Sequence, residues 1–215
     1  MARMSDAEAR TVLEAAFAMR QRPHPTLGEL QGVGAIARFE GGYGGAWTGA
    51  GADSHNWGAI QCSHQAPCSP GCFEHGDSHA DGSGYRGCFR IYASHVAGAA
   101  ALLHELYRRA GVPEALVAGD AAAVADRMRA SGYFEAPSSA YASAIERHAA
   151  EIASSLGEPV AIRRGGVALP VVPPPTPASP PPLPPAVATA SAEVEPWFLV
   201  GLGLAWGLYQ FRRRP

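Results

Sequence analysis

The stretch RFEGGYGGAW, residues 38–47, ends an apolar segment of helical spacing in a glycine-rich turn. Apolar residues give the predicted helix at residues 26–40 one buried face, and Glu40 lies one turn beyond Ile36. A carboxyl group at that place is partly desolvated, which raises its pKa toward the range that a general acid needs near neutral pH. The glycines allow the chain to bend and leave room for a bulky substrate. A solvated glutamate at a helix end is the alternative interpretation.

Outward from this stretch, the sequence predicts a mainly helical domain. Ser5 and Glu8 form a plausible capping box for the first helix, and Asp120 is placed to cap a later one. Helices are expected near residues 5–20, 26–40, 94–110, 120–131 and 138–155. Residues 41–92 are rich in Gly, Ser, His and Cys, and YRGCFRIYAS (residues 85–94) alternates like a strand. The predicted fold class is therefore mainly α with a small β/loop-rich lobe inserted after the second helix.

Composition excludes some classes of function. The 215 residues are 47% hydrophobic, enough for a real core. The 17 Lys+Arg and 19 Asp+Glu give a net charge of -2, so no basic field for nucleic acid is expected. The N-terminus lacks the uninterrupted apolar run of a secretory signal, because Glu8 and Glu14 interrupt it.

The C-terminal quarter has a different character. Residues 158–194 form the predicted linker, and its tract at residues 170–192 is proline-rich and uncharged, which predicts an extended, semi-rigid spacer. Residues 195–212 contain an uncharged aromatic and aliphatic run, and residues 213–215 form a short basic tail after Arg212. This pattern predicts a transmembrane helix with a positive-inside stop, while a buried or surface-lying helix is the alternative. Such an orientation places the domain outside the cytoplasm without a visible signal peptide, a difficulty that a phage-encoded virion protein would escape.

Four segments in order carry a family resemblance. They are AIARFEGGYG (residues 35–44), NWGAIQ (56–61), CFRIYAS (88–94) and SGYFEAPSSAYASAI (131–145). Together they resemble the bacterial glucosaminidase family typified by the flagellar peptidoglycan hydrolase domain, within the lysozyme-like superfamily. The resemblance implies a lysozyme-like fold for residues 1–157 and cleavage of the glycan strand of peptidoglycan.

The resemblance also implies roles for individual residues. Glu40 would protonate the glycosidic oxygen, and Tyr133 or Tyr141 would support the substrate or the attacking water. Glu74 is the choice for a second acid, with Asp77 and Asp81 as the other candidates. If none serves, the substrate's own acetamido group takes that role or an anhydro product forms. Substrate contacts are expected from Tyr43, Asn56, Trp57, Gly58 and Gln61.

The chain departs from the family pattern at three places. Gly41 stands where the family has Ser, and Gln61 stands where it has Lys. The second departure brings NWGAIQ closer to the corresponding segment of lytic transglycosylases. Pro137 and Tyr141 are also two residues further apart than in the family, which puts the placement of Tyr141 in question. These departures bear on the type of reaction more than on the fold.

All four cysteines of the chain fall in the β/loop-rich lobe: Cys62, Cys68, Cys72 and Cys88. Two disulfides would staple a glycine-rich segment that has little core of its own. Zinc is the rival, because His64, His75 and His79 lie among the cysteines, although their spacing matches no standard zinc knuckle. Free thiols are the third interpretation. We expect disulfides, no metal and no cofactor.

The sequence thus predicts a membrane-tethered peptidoglycan hydrolase of N-acetylglucosaminidase, muramidase or lytic transglycosylase type. Its expected partners are peptidoglycan glycan strands and, through the C-terminal helix, membrane lipid. The expected location is a membrane anchor with the catalytic domain facing the cell wall or periplasm, or a virion membrane. A non-catalytic wall-binding or structural virion protein with the same fold is the alternative. A zinc-dependent module is a third hypothesis.

Overall fold

Six helices carry most of the fold. In the computed structural model, the described residues are 4–45, 47, 51–63, 67–78 and 83–165. Their α-helices are α1 (Asp6–Met19), α2 (Leu27–Gly41), α3 (His95–Tyr107), α4 (Val112–Val117), α5 (Ala121–Ala130) and α6 (Ser138–Leu156). Five of them confirm the predicted helices within three residues at each end. The short helix α4 was not predicted.

The helix starts follow the capping chemistry of the sequence. The Ser5 hydroxyl accepts from the Glu8 backbone N–H, and the Glu8 carboxylate accepts from the Ser5 backbone N–H, so the predicted capping box is confirmed. Thr26 and Glu29 form a second capping box at the start of α2. Asp120 accepts from two backbone N–H groups at the start of α5, as predicted.

A small sheet lies between α2 and α3 in the chain. Its strands are β1 (Gln61–Ser63), β2 (Cys72–Ser78) and β3 (Gly84–Arg90), in the order β1-β3-β2 with antiparallel pairing. The strand expected within residues 85–94 is therefore confirmed, and so is the mixed fold with a small lobe after the second helix. Because side chains alternate across a strand, Phe73, His75 and Asp77 share one face of β2, and Glu74 lies on the other.

Two disulfides hold this lobe together. The disulfide between Cys62 and Cys72 joins β1 to β2. The disulfide between Cys68 and Cys88 joins the loop between β1 and β2 to strand β3. The predicted disulfides are confirmed. Each cysteine sulfur is taken up by a disulfide, so none of the four serves as a thiolate ligand, and the zinc hypothesis loses its sulfur donors. His64, His79 and Asp81 lie outside the described residues.

Helix α2 is the centre of the helical part. All of its residues from Gly28 to Ala37 are buried, and it packs against α6, α4 and α1. Gln31 is fully buried among apolar neighbours, and its side-chain amide is satisfied on both sides. The amide nitrogen donates to the Pro159 carbonyl over 2.8 Å, and the amide oxygen accepts from the Ala161 N–H over 2.7 Å.

These bonds correct the predicted start of the linker at residue 158. Ile162 is fully buried in the core, and Glu158 forms a bidentate ion pair with Arg10. Arg163 pairs through its backbone with Gly119 and Ala121. Residues 158–165 therefore pack on the domain, because their apolar and backbone groups find partners there. The rest of the predicted linker and the membrane segment at residues 195–212 lie outside the described residues.

No helix within the described ranges is long and apolar enough to cross a membrane.

Candidate active site

Glu40 occupies the last turn of α2, where the chain reverses sharply. Gly42, Tyr43 and Gly44 follow with φ of 51°, 60° and 76°, three successive left-handed residues. A side chain at Gly41 would place its Cβ 2.6 Å from the Asn56 carbonyl oxygen. The bend and this close approach explain the glycines of the opening stretch. They bring the 56–61 segment against the end of α2, beside Glu40, and explain why residue 41 is Gly.

The environment of Glu40 raises its pKa to about 7. Burial is the largest cause, because it disfavours the charged carboxylate, and the negative charge of Asp77 adds to it. The hydrogen bond that the Tyr141 hydroxyl donates to Glu40 Oε1 acts in the opposite direction. Glu40 is therefore poised to be a proton donor near neutral pH.

Tyr141 bonds to this carboxyl group, and Tyr133 lies within range of its charge. Both have a pKa raised well above the ordinary value, mainly by burial and next by the charge of Glu40. Both hydroxyls therefore remain protonated donors. The Tyr133 hydroxyl donates to the Gly58 carbonyl over 2.9 Å, and Arg109 covers its ring at 4.9 Å. Of the two tyrosines, Tyr141 is the one that forms a hydrogen bond with Glu40.

A second polar cluster projects from the sheet. The Tyr85 hydroxyl donates to Asp77 Oδ2 over 2.8 Å, and the Gln61 amide nitrogen donates to the Tyr85 hydroxyl over 2.7 Å. Asp77 and Tyr85 are direct cross-strand partners, so their side chains lie on one face. The negative charge of Asp77 raises the pKa of Glu40, although less than burial does.

Glu74, the residue chosen from the resemblance, has a different setting. It lies on the opposite face of β2 from Asp77 and forms an ion pair with Arg86. Its charge is not among the causes of the raised pKa of Glu40. Of these two carboxylates, Asp77 is the one whose charge contributes to the raised pKa of Glu40. The two residues differ because side chains alternate along β2, so Glu74 and Asp77, three positions apart, lie on opposite faces of the sheet.

Three of the expected substrate contacts are buried supports instead. Tyr43 is 4% exposed and its hydroxyl donates to Asp6, while Trp57 is fully buried and its indole N–H donates to His95 Nδ1. Asn56 is fully buried and bonds to the backbone of Ile60 and Arg90. A side chain without solvent access does not stack on a substrate. Their hydrogen bonds shape the loop after Glu40, most of them to residues more than 30 positions away. The sequence motif alone did not distinguish this role from substrate contact.

The other two expected contacts, Gly58 and Gln61, bond to tyrosine side chains. Gly58 is buried and holds Tyr133 through its carbonyl, and a Cβ there would lie 2.6 Å from Leu102 Cδ1. Gln61 is half-buried and belongs to the polar cluster with Asp77 and Tyr85. Gly58 therefore positions Tyr133, and Gln61 positions Tyr85.

A groove of about 420 Å³ opens beside Glu40. Its lining includes residues that the sequence analysis did not single out: Phe39, Phe134, Ala140, Ser143, Ala144 and Arg147. The α6 members recur at spacings of three and four, so they form one stripe of that helix. That spacing, together with the aromatic neighbours of Glu40 and Tyr133 in the sequence, is the signal that could have found them.

No candidate metal cluster of three or more His, Cys, Asp or Glu side chains occurs within the described ranges.

The chain matches no protein-family model, no curated protein and no solved structure.

Proposed function

We propose that this chain is a glycosidase that cleaves the glycan strand of peptidoglycan, with Glu40 as the general acid. The observation that carries the proposal is the carboxyl group of Glu40, with a pKa of about 7, at the edge of an open groove and bonded to Tyr141. The four sequence segments that resemble bacterial glucosaminidases support the choice of substrate. A carboxyl group kept half protonated at neutral pH suits proton donation to a glycosidic oxygen.

The reaction follows from two carboxyl groups. Glu40 gives its proton to the glycosidic oxygen as the bond between that oxygen and the anomeric carbon breaks. A water molecule supplies the oxygen that bonds to the anomeric carbon. We assign Asp77 as the base that takes a proton from this water, because it is the carboxylate coupled to Glu40. Tyr85 and Gln61 position Asp77 through their hydrogen bonds.

The tether is part of the proposal. The composition of residues 166–194 and 195–212 supports a spacer and a membrane anchor, through which the domain would reach the cell wall or lie in a virion membrane. Both segments lie outside the described residues.

The primary experiment is release of soluble fragments from purified peptidoglycan by the full-length chain. Wild type is compared with Glu40→Gln, and Glu14→Gln serves as a control at an exposed glutamate of α1. We expect wild type and the control to release fragments and Glu40→Gln to release none. Mass spectrometry of the products then identifies the new reducing or anhydro end. If folded wild-type protein binds peptidoglycan and releases nothing, the protein is a wall-binding module.

The second carboxylate has its own test. We expect Asp77→Asn to lose at least a hundredfold in kcat, the lower end of the usual contribution of a general base, estimated as ~10². Glu74→Gln changes a residue whose partner is Arg86, and it should retain activity. Retained activity in Asp77→Asn together with lost activity in Glu74→Gln would reverse the assignment.

A further inference from the structure

The groove beside Glu40 has an aromatic floor. The rings of Phe134 and Tyr141 are stacked with centroids 4.0 Å apart and planes 10° from parallel. Phe39 meets the Tyr141 ring edge-on at 5.2 Å, and its side chain is 45% exposed. An exposed phenylalanine beside a fixed aromatic stack offers an apolar surface to a ring-shaped ligand. The acid itself lines this groove, so a ligand lying there reaches Glu40.

The cationic member of the groove is Arg147. It is exposed on α6 and lines the groove together with Glu40 and Phe134. Its Nη2 atom lies 3.4 Å from Nε2 of the neighbouring His148. Within the described residues, its guanidinium forms no ion pair with a carboxylate. By contrast, Glu146, the preceding residue of α6, is paired with Arg164. Arg147 is therefore available to bind an anion that enters the groove.

We propose that this groove is the subsite for a sugar unit that carries a carboxylate, and that Arg147 binds that carboxylate. The inference rests on the proposed function and names the chemistry that one side of the cleft selects. In peptidoglycan, the N-acetylmuramic acid unit bears a lactyl carboxylate, which is amide-linked where a peptide stem is attached. The sugar ring lies on Phe39 and Phe134, and its acidic substituent reaches Arg147. Asp77, whose negative charge acts on the pKa of Glu40, does not line this groove, so it does not repel an acidic substituent that lies there.

The test uses matched glycans and matched variants of the full-length chain. Peptide-free glycan strands with free lactyl carboxylates are compared with the same strands after their carboxylates are converted to methylamides. Intact peptidoglycan, in which the stem peptide carries the carboxylates, is the third substrate. Wild type, Arg147→Gln and Arg129→Gln are measured on all three. Arg129 is an exposed arginine of α5 that does not line the groove.

We expect wild type and Arg129→Gln to lose about tenfold in kcat/KM when the carboxylates are amidated, the order expected of one charge-assisted hydrogen bond. Arg147→Gln should show no such preference. Its kcat/KM on both peptide-free glycans should equal the kcat/KM of wild type on the amidated glycan. If Arg147→Gln differs from wild type only on intact peptidoglycan, the bound carboxylate belongs to the stem peptide and the proposed subsite for the lactyl carboxylate is overturned. If Arg147→Gln keeps the full preference, or loses activity equally on charged and amidated glycans, the proposal is overturned.

Binding by inactive protein separates this inference from the proposed function. Glu40→Gln and the double variant Glu40→Gln/Arg147→Gln are titrated with both peptide-free glycans. Tighter binding of the charged glycan by Glu40→Gln but not by the double variant supports the subsite, even where wild type cleaves neither glycan and the hydrolase proposal falls. Equal affinities of the two proteins for the charged glycan would overturn the subsite alone.

Discussion

The raised pKa of Glu40 has a consequence for stability that does not depend on substrate. In the unfolded chain this carboxyl group has its ordinary pKa of 4.5, and in the folded domain the pKa is about 7. Between these values the folded state binds more protons than the unfolded state, so the free energy of unfolding falls as pH rises. The difference corresponds to about 3 kcal/mol of lost stability once pH exceeds the folded value.

Replacing Glu40 by glutamine should remove this loss. Gln cannot ionise, and its amide oxygen still accepts from the Tyr141 hydroxyl. We expect Glu40→Gln to match wild type at about pH 4 and to be more stable by about 3 kcal/mol at about pH 8. Urea unfolding curves at both pH values measure the difference, provided that the slope of each transition is unchanged.

Glu14→Gln controls for the general effect of removing one negative charge, because Glu14 is exposed on α1. It should change stability by less than about 0.5 kcal/mol at either pH. Equal stability of wild type and Glu40→Gln at about pH 8 would refute the reasoning, since it would mean that the folded domain does not penalise the charged carboxylate. A destabilised Glu40→Gln at both pH values would refute it as well.

Two further predictions follow from the surroundings of the acid. Tyr141→Phe removes the hydrogen bond that lowers the pKa of Glu40, so the basic limb of the pH–rate profile should move up by about one pH unit. Tyr133→Phe, whose hydroxyl bonds elsewhere, should leave the limb in place, and an unmoved limb in Tyr141→Phe would contradict the prediction. Gly41→Ala should lower the free energy of unfolding by about 2 kcal/mol, because its Cβ would lie 2.6 Å from a backbone oxygen. Gly76→Ala, with no atom within 4 Å of its Cβ, should have little effect, and thermal unfolding of both variants compares them.

The local features of the fold could be predicted from the sequence because they depend on neighbouring residues. Ser5 with Glu8 and Asp120 with the backbone that follows it define helix starts through contacts within three positions. The alternation in residues 85–94 predicted β3 for the same reason. Glu40 could be recognised as a partly desolvated carboxyl group because it follows an apolar helix face and precedes a glycine-rich turn.

Contacts between distant segments decided the rest of the site. Asp77 rather than Glu74 is coupled to Glu40, because the pairing of β2 with β3 determines which face each side chain occupies. Tyr141 reaches Glu40 across 101 positions of the chain, and Arg147 lines the same groove only because α6 packs along α2. The sequence by itself predicted the helix that ends beside Glu40, and the apolar face before this residue indicated a raised pKa of its carboxyl group, since both arise from local pattern. The tertiary structure alone decided the partners of the acid, since burial and the sharing of a face are properties of packed elements.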